Sequence, residues 1–282
     1  MRKVLLATTA LVAMSVTAAQ ADITISGFQN FEVSNEGGDA TWYQDGAVNI
    51  QSKTSLDNGL TVTALHSINT AAAAAPEEID DVDVDAHVDD SYIDISGDFG
   101  AIRLGDTDTA LDRFDGVSPS IWTENSGGHA ISADAMMASF IAPTISGATI
   151  YADTTANGDY TGMGVNYKNG PVTLMYQTST NGTTDSTLLA ANFSMAGVTV
   201  GMSTRDKNDA GEKTEATSAG IKYDVNDAMG VYYVTEKDTK ASKSQSAIGA
   251  SYTIAPGLST MIESYDDGEG TTTTYAELKV TF

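Results

Sequence analysis

TTTTYAELKVTF, residues 271–282, reads with a period of two. Ala276, Leu278, Val280 and Phe282 fall on one face, and Tyr275, Glu277, Lys279 and Thr281 on the other. Successive side chains of a strand point to opposite faces, so this is a strand with one dry side and one wet side. Two surroundings satisfy it. A second sheet can cover the dry side, as in a soluble sandwich, or lipid can, as in a membrane barrel. The rest of the chain decides between them.

The first 21 residues differ in character from the remainder of the chain. Arg2 and Lys3 give a basic start, Val4 to Val16 an apolar stretch, and Ala19-Gln20-Ala21 a small-x-small cleavage signal. That is the pattern of a secretory signal peptide (residues 1–21), too short to span a bilayer, and it makes residues 22–282 the expected folded unit. Removing it lowers 14 basic residues to 12 against 38 acidic ones, a net charge of −26. Such a charge excludes nucleic acid as a partner, and simple docking on anionic lipid as well. The chain has no cysteine, so an exported product is neither a disulfide scaffold nor a thiolate metal centre. No later apolar run approaches the length of a membrane helix, so a membrane role calls for strands.

Alternating segments bounded by turn residues recur along the whole chain. They begin with ITISGFQNFEV (23–33), AVNIQSKTSL (47–56) and LTVTALHSI (60–68), and end with LSTMIESY (258–265) and the final strand; sixteen are found. Seven connections are tight, at Asn58-Gly59, Gly97–Gly100, Pro143–Gly147, Asn169-Gly170, Ala196-Gly197, Asn226–Gly230 and Pro256-Gly257. These are hairpin signals, where the backbone must reach positive φ. The connections between them are longer and polar, near 34–46, 70–90, 107–135, 154–160, 180–185, 205–216, 237–245 and 266–271. A Greek-key sandwich gives no reason for that alternation of loop length. The expected fold is all-β, a 16-stranded antiparallel up-and-down transmembrane β-barrel with short periplasmic turns and long extracellular loops. The sixth segment, MMASFIA (136–142), fits least well, because Met137 and Ile141 break its parity.

The faces support lipid outside and water inside. Val48 and Ile50, Ile102 and Leu104, Leu174 and Tyr176, and Val200 and Met202 share dry faces. Gln51 and Lys53, Arg103, Gln177, and Ser203 and Arg205 lie opposite them. A soluble core would not tolerate that polar side, whereas a water-filled barrel requires it. Tyr167, Tyr176, Tyr223 and Phe282 lie on dry faces near strand ends, where an aromatic girdle belongs.

In SGDFGAIRLGDTDTALDRFDG (96–116) a tight Gly-x-Phe-Gly turn enters a short strand ending in Leu-Gly-Asp, followed by a long polar loop. This segment and the carboxyl end resemble the trimeric general porins of Gram-negative outer membranes, most closely those of alphaproteobacteria. The resemblance covers strand count and connection rhythm over residues 22–282. It implies an outer-membrane homotrimer of sixteen-stranded barrels embedded in lipid and lipopolysaccharide, each passing small hydrophilic solutes and ions by passive diffusion. It also implies that the third long loop, about residues 107–134 here, folds inward as a constriction. The Pro-Glu-Phe-type motif of the enterobacterial porins is absent from that loop.

A constriction selects by its radius and its charges. The loop and its flanks supply Asp106, Asp108, Asp112, Asp115, Glu124 and Asp134 against Arg113. Wet wall positions supply Lys53, Arg103 and Lys279, and also Glu32, Asp94, Glu236, Glu263 and Glu277. A family-like arrangement sets loop carboxylates across the lumen from a basic wall, with Lys53 and Arg103 as its basic side. The acidic excess predicts a preference for cations and small neutral solutes.

The run EEIDDVDVDAHVDD (77–90) invites a calcium reading. Asp81, Asp83 and Asp85 open like an EF-hand loop, but Ala86 stands where Gly is needed and Tyr92 where Glu is needed. The run reads better as a strand passing beyond the membrane, with a parity shift before Ile93 and Ile95 marking a bulge. No cofactor is expected beyond calcium bound loosely at acidic loops. His66, His87 and His129 are scattered, and no nucleophile motif is present, so no enzyme is expected. Gly162-Met163-Gly164 lacks the third glycine of a dinucleotide fingerprint and reads as a lumen-facing glycine pair. The alternative reading is a secreted acidic β-protein that binds calcium or a surface glycan. Location separates the two.

Overall fold

The structure, a computed structural model, describes residues 21–74, 84–124, 133–238 and 243–282. The signal-peptide residues therefore lie outside the described residues, as do Asp81, Asp83 and His129. Sixteen strands account for most of the described chain: β1 (Asp22–Glu36), β2 (Asp39–Ser55), β3 (Thr61–Ala74), β4 (Val84–Gly97), β5 (Gly100–Asp108), β6 (Asp134–Ile141), β7 (Ala148–Thr155) and β8 (Tyr160–Asn169). They continue with β9 (Val172–Asn181), β10 (Thr184–Met195), β11 (Val198–Asp209), β12 (Glu212–Asn226), β13 (Met229–Asp238), β14 (Lys243–Ala255), β15 (Leu258–Asp266) and β16 (Thr272–Thr281).

Each strand pairs antiparallel with its neighbours in sequence, and β1 closes the ring on β16. At the seam Phe28 faces Thr281 and Glu36 faces Thr273, while Gly27 and Phe282 exchange backbone hydrogen bonds of 2.9 and 3.0 Å. Closure leaves no unpaired edge, which is the condition for strands to cross hydrocarbon. The final strand keeps the expected faces: Ala276, Leu278, Val280 and Phe282 are exposed outside, and Tyr275 is buried inside. Tyr176, Tyr223 and Phe282 are likewise exposed on the outer surface, with Tyr167 partly covered.

At the far end the chain departs from the expected long loops. Much of 34–46, 180–185 and 205–216 is strand, turned tightly at Gly37-Gly38, Gly182 and Ala210-Gly211. Ladder bonding continues past the membrane, where both faces meet water and the dry side disappears. Polar segments without a dry side read as loops, although their backbones remain paired. The parity shift in the acidic run is present, as a bulge where His66 pairs with Ser91 and Ile68 with Val88. Residues 75–83 lie outside the described residues.

Strand β6 accounts for its own irregularity. Met136 and Phe140 point outward, whereas Met137 and Ser139 are buried inward and Ile141 packs against an apolar cluster inside the barrel. Inward apolar residues are tolerated here because the lumen is not water-filled along this wall. A loop covers it.

Candidate functional site

The loop leaves β5 at Asp108 and runs along the inside of the wall through two short 3₁₀ turns, Asp112–Val117 and Pro119–Ile121. Its first half docks on β7 to β10. Leu111 and Val117 pack with Tyr151, Met175, Leu188 and Ala190, and Phe114 stacks on Tyr151 with ring centroids 4.3 Å apart. The buried Asp153 carboxylate accepts from the Ala110 N–H at 2.8 Å, and Gln177 Nε2 donates to the Leu111 carbonyl at 2.7 Å. Gly164 leaves room for the Tyr151 ring, and Gly162 for Tyr160 and Leu111, so the glycine pair does face inward.

The second half docks on β11 to β13. Ser118 Oγ lies 2.8 Å from Ser203 Oγ, which lies 2.6 Å from Ser218 Oγ. Trp122 clusters with Tyr232 and Val234, with Ile121 and Met261 packed alongside, and its Nε1 donates to the Gly116 carbonyl at 3.1 Å. The Lys222 ammonium sits over the indole, 4.3 Å from the ring centroid. The Glu124 N–H donates to Glu263 Oε2 on β15 at 3.1 Å, an oxygen that also accepts from the Tyr232 hydroxyl at 2.6 Å. The loop thus crosses the lumen's inner wall from β5 to β15.

Charges gather at its two ends. At the root, Arg103 is held by Asp94 through two hydrogen bonds of 2.8 and 2.7 Å, donates to Thr107 Oγ1 at 3.2 Å, and lies over the Tyr92 ring. Arg113 approaches the same group; its pKa is lowered by burial and then by the Arg103 charge. Thr109 Oγ1 donates to Asp112 at 3.0 Å. Burial, followed by the charges of Asp112 and Asp108, pushes the Asp115 carboxyl up to about 7.

At the far end, register brings together carboxylates from distant parts of the chain. Glu32 on β1 is the direct cross-strand partner of Glu277 on β16. Asn30 Nδ2 donates to both, at 2.5 Å to Glu32 and 3.3 Å to Glu277, and the Tyr275 hydroxyl also binds Glu32. Glu124, exposed on the loop, faces this group. Burial raises its pKa first, and the charges of Glu277, Glu263 and Glu32 raise it further against Lys279.

The expected residues therefore divide. Asp112, Arg113, Asp115 and Glu124 lie on the inward loop, and Glu32, Asp94, Arg103, Glu236, Glu263, Glu277 and Lys279 lie on the inner wall. Asp108 stands at the root beside Asp112 and Asp90. Asp106 departs from the constriction: it pairs with Ser91 and with the outward Met136, which places it on the outer face of β5. Asp134 is the direct cross-strand partner of Asp108 at the loop's root. Lys53 lies on the inner wall, in the cross-strand row that runs through Thr63 and Asp94 to Arg103. Arg103 is matched by a carboxylate on its own wall, and at the far end loop acid faces wall acid.

Asn30, Tyr232, Tyr275 and Trp122 were not anticipated. Trp122 carried one signal, a tryptophan in a polar loop opposite the lumen-facing glycines Gly201 and Gly220. Among the described residues no group of three His, Cys, Asp or Glu side chains is arranged to hold a metal ion.

The chain matches the Gram-negative porin family over residues 7–272. It is a Gram-negative porin. Among curated proteins none matches it. Solved structures share its fold at low identity. A mutant of the Rh. blastica porin is 15% identical with a TM-score of 0.77, covering 93% of this chain and 100% of its own. OmpF of Salmonella typhi, in complex with daunomycin, is 11% identical with a TM-score of 0.77, at 92% and 97% coverage. A loop-deletion mutant of OmpT from Vibrio cholerae is 13% identical with a TM-score of 0.72, at 93% and 99%. Family membership places this porin in the outer membrane as a multi-pass channel for passive diffusion and sets aside the secreted reading. The resemblance to alphaproteobacterial members has no separate support.

Proposed function

We propose that this porin passes small hydrophilic solutes and ions through a lumen narrowed by the loop from Asp108, and that it favours cations. The long-loop end faces outside the cell, and three copies assemble, as the resemblance implies. The observation that carries the cation preference is the far end of the loop. There Glu124 meets Glu32, Glu263 and Glu277 against Lys279, so a permeating ion passes a locally negative patch of the wall. Low-dielectric walls concentrate such a field, and charges further away are screened within about 8–10 Å.

Swelling of proteoliposomes in neutral sugars of increasing size tests the diffusion reading. Swelling rates should fall smoothly with solute size and show no saturation. Saturable uptake of a single sugar would point instead to a substrate-specific channel.

A further inference from the structure

The inner wall treats its carboxylates in two ways. Asp94 is neutralised in place by the Arg103 guanidinium. Glu32 and Glu277 are held differently. They stand directly opposite each other on β1 and β16, a placement that like charges disfavour. Beside them lies Asn30, whose side chain is buried. Its Nδ2 donates to Glu32 Oε1 at 2.5 Å and to Glu277 Oε2 at 3.3 Å, and its Oδ1 accepts from the Asp45 N–H at 2.9 Å. A backbone N–H can only donate, so the orientation of the amide is fixed and its NH2 faces the carboxylates.

The neutrality of that amide matters. A lysine or arginine in its place would cancel a negative charge, whereas asparagine donates to both carboxylates and leaves their charge on the wall. Hydrogen bonds to a carboxylate favour its ionised form, while two close carboxylates without such help hold on to a shared proton. The Lys279 ammonium sits over the Phe28 ring, 4.6 Å from its centroid, and so is shared with an aromatic face. Barrel closure does not need the amide, because the backbone ladder already joins β1 to β2 and to β16 on either side of it.

We propose that Asn30 is a positioning residue for cation selectivity: its fixed amide holds Glu32 and Glu277 side by side on the lumen wall and lets both carry charge at neutral pH. The proposal rests on the cation-preferring reading and names what sustains it. The pair faces Asp45 and Tyr43 on β2, Tyr275 and Lys279 on β16, Glu263 on β15 and Glu124 on the loop. The acidic neighbours favour a shared proton, and the amide works against them. The Tyr275 hydroxyl helps Glu32, but Asn30 reaches both carboxylates.

The test reads the cation-to-anion permeability ratio in planar bilayers between about pH 6 and 8, in an Asp115→Asn background that removes the loop's own titration at about 7. With Asn30 present the ratio should be flat, because the pair stays ionised throughout. Asn30→Leu should make the ratio fall toward acid pH by at least about twofold, as the pair takes up one proton. Adding Glu277→Gln to Asn30→Leu should restore a flat profile, since Glu32 then has no like-charged partner opposite. A residue that only braced the seam would alter conductance or stability and leave the profile flat. A flat profile in Asn30→Leu therefore overturns the proposal, and so does a fall already present with Asn30 in place.

Heat-modifiable gel mobility reports whether each barrel has folded. Should Asn30→Leu fail to fold, Asn30→Ser keeps a small polar side chain that is too short to reach both carboxylates. The same fall is expected of it, and its absence counts equally against the role of Asn30. A channel that prefers anions with Asn30 present would instead overturn the cation reading, and the proposal with it. A cation-preferring channel whose profile ignores Asn30 leaves that reading standing and removes Asn30 alone.

Discussion

The Trp122 ring occupies the space that a side chain at position 201 would fill: a Cβ on Gly201 would come within 2.7 Å of Cη2. Gly220 stands on the other side of the same seat, where a Cβ would lie 3.0 Å from Cζ3. Two lumen-facing glycines thus make a socket for one loop residue, and the socket holds the far half of the constriction. Gly201→Val should push the indole out, and Trp122→Ala should empty the socket. Truncating a buried Trp costs about 3–5 kcal/mol of packing. Both variants should show higher and noisier single-channel conductance than wild type in barrels that remain folded. Unchanged conductance would mean that the serine contacts and the first dock hold the loop without Trp122.

Selectivity should follow the far-end carboxylates. Glu124→Gln and Glu277→Gln each remove a charge from the negative patch without changing shape. Each should lower the cation-to-anion permeability ratio by about two- to fivefold, roughly 0.4–1 kcal/mol at an interior effective dielectric. Neutralising an acid on the outer rim, such as Glu215→Gln, should leave the ratio where it is. Reversal potentials across a salt gradient measure all three.

Arg103 should act in the opposite sense. Its guanidinium neutralises Asp94 through a two-point contact on the wall. Arg103→Gln leaves that carboxylate uncompensated beside the lumen and should raise the permeability ratio for cations. Losing the charged hydrogen bonds should also cost roughly 1.5–3 kcal/mol of stability, read from urea unfolding in lipid.

The loop should respond to pH through Asp115. Its carboxyl is raised to about 7, so between the ordinary 3.8 and that value the folded loop holds a proton that the unfolded chain releases. A raised acid pKa makes ionisation unfavourable to the docked loop. Docking is therefore strongest below the ordinary pKa and weakens as pH climbs through 7. The same titration adds a negative charge to the lumen, so cation preference should rise between pH 6 and 8. Asp115→Asn should flatten that rise; a rise that persists in full would move the titration to another group.

Much of the barrel could be read from alternation, because lipid enforces it. Wherever a strand crosses hydrocarbon its outer side must be apolar, and Leu278, Met202 and Leu174 follow that rule. Where lipid is absent the signal fades. The strand extensions around Gly37 and Ala210 are wet on both faces, and Met137 faces inward because a loop covers it.

The site was legible only as a class of residue. Carboxylates on the third loop were visible, but which of them enter the lumen depends on parity, and parity sends Asp106 outside. The far-end cluster depends on register between β1 and β16, whose residues Asn30 and Glu277 are separated by 247 positions. Local pattern carries no trace of that pairing.

The most direct test is the zero-current potential of purified protein in a planar bilayer, with tenfold unequal potassium chloride on the two sides. The account predicts stable open channels and a reversal potential displaced toward the potassium equilibrium value. Open channels displaced toward the chloride value, or no conductance from folded barrels, would contradict it.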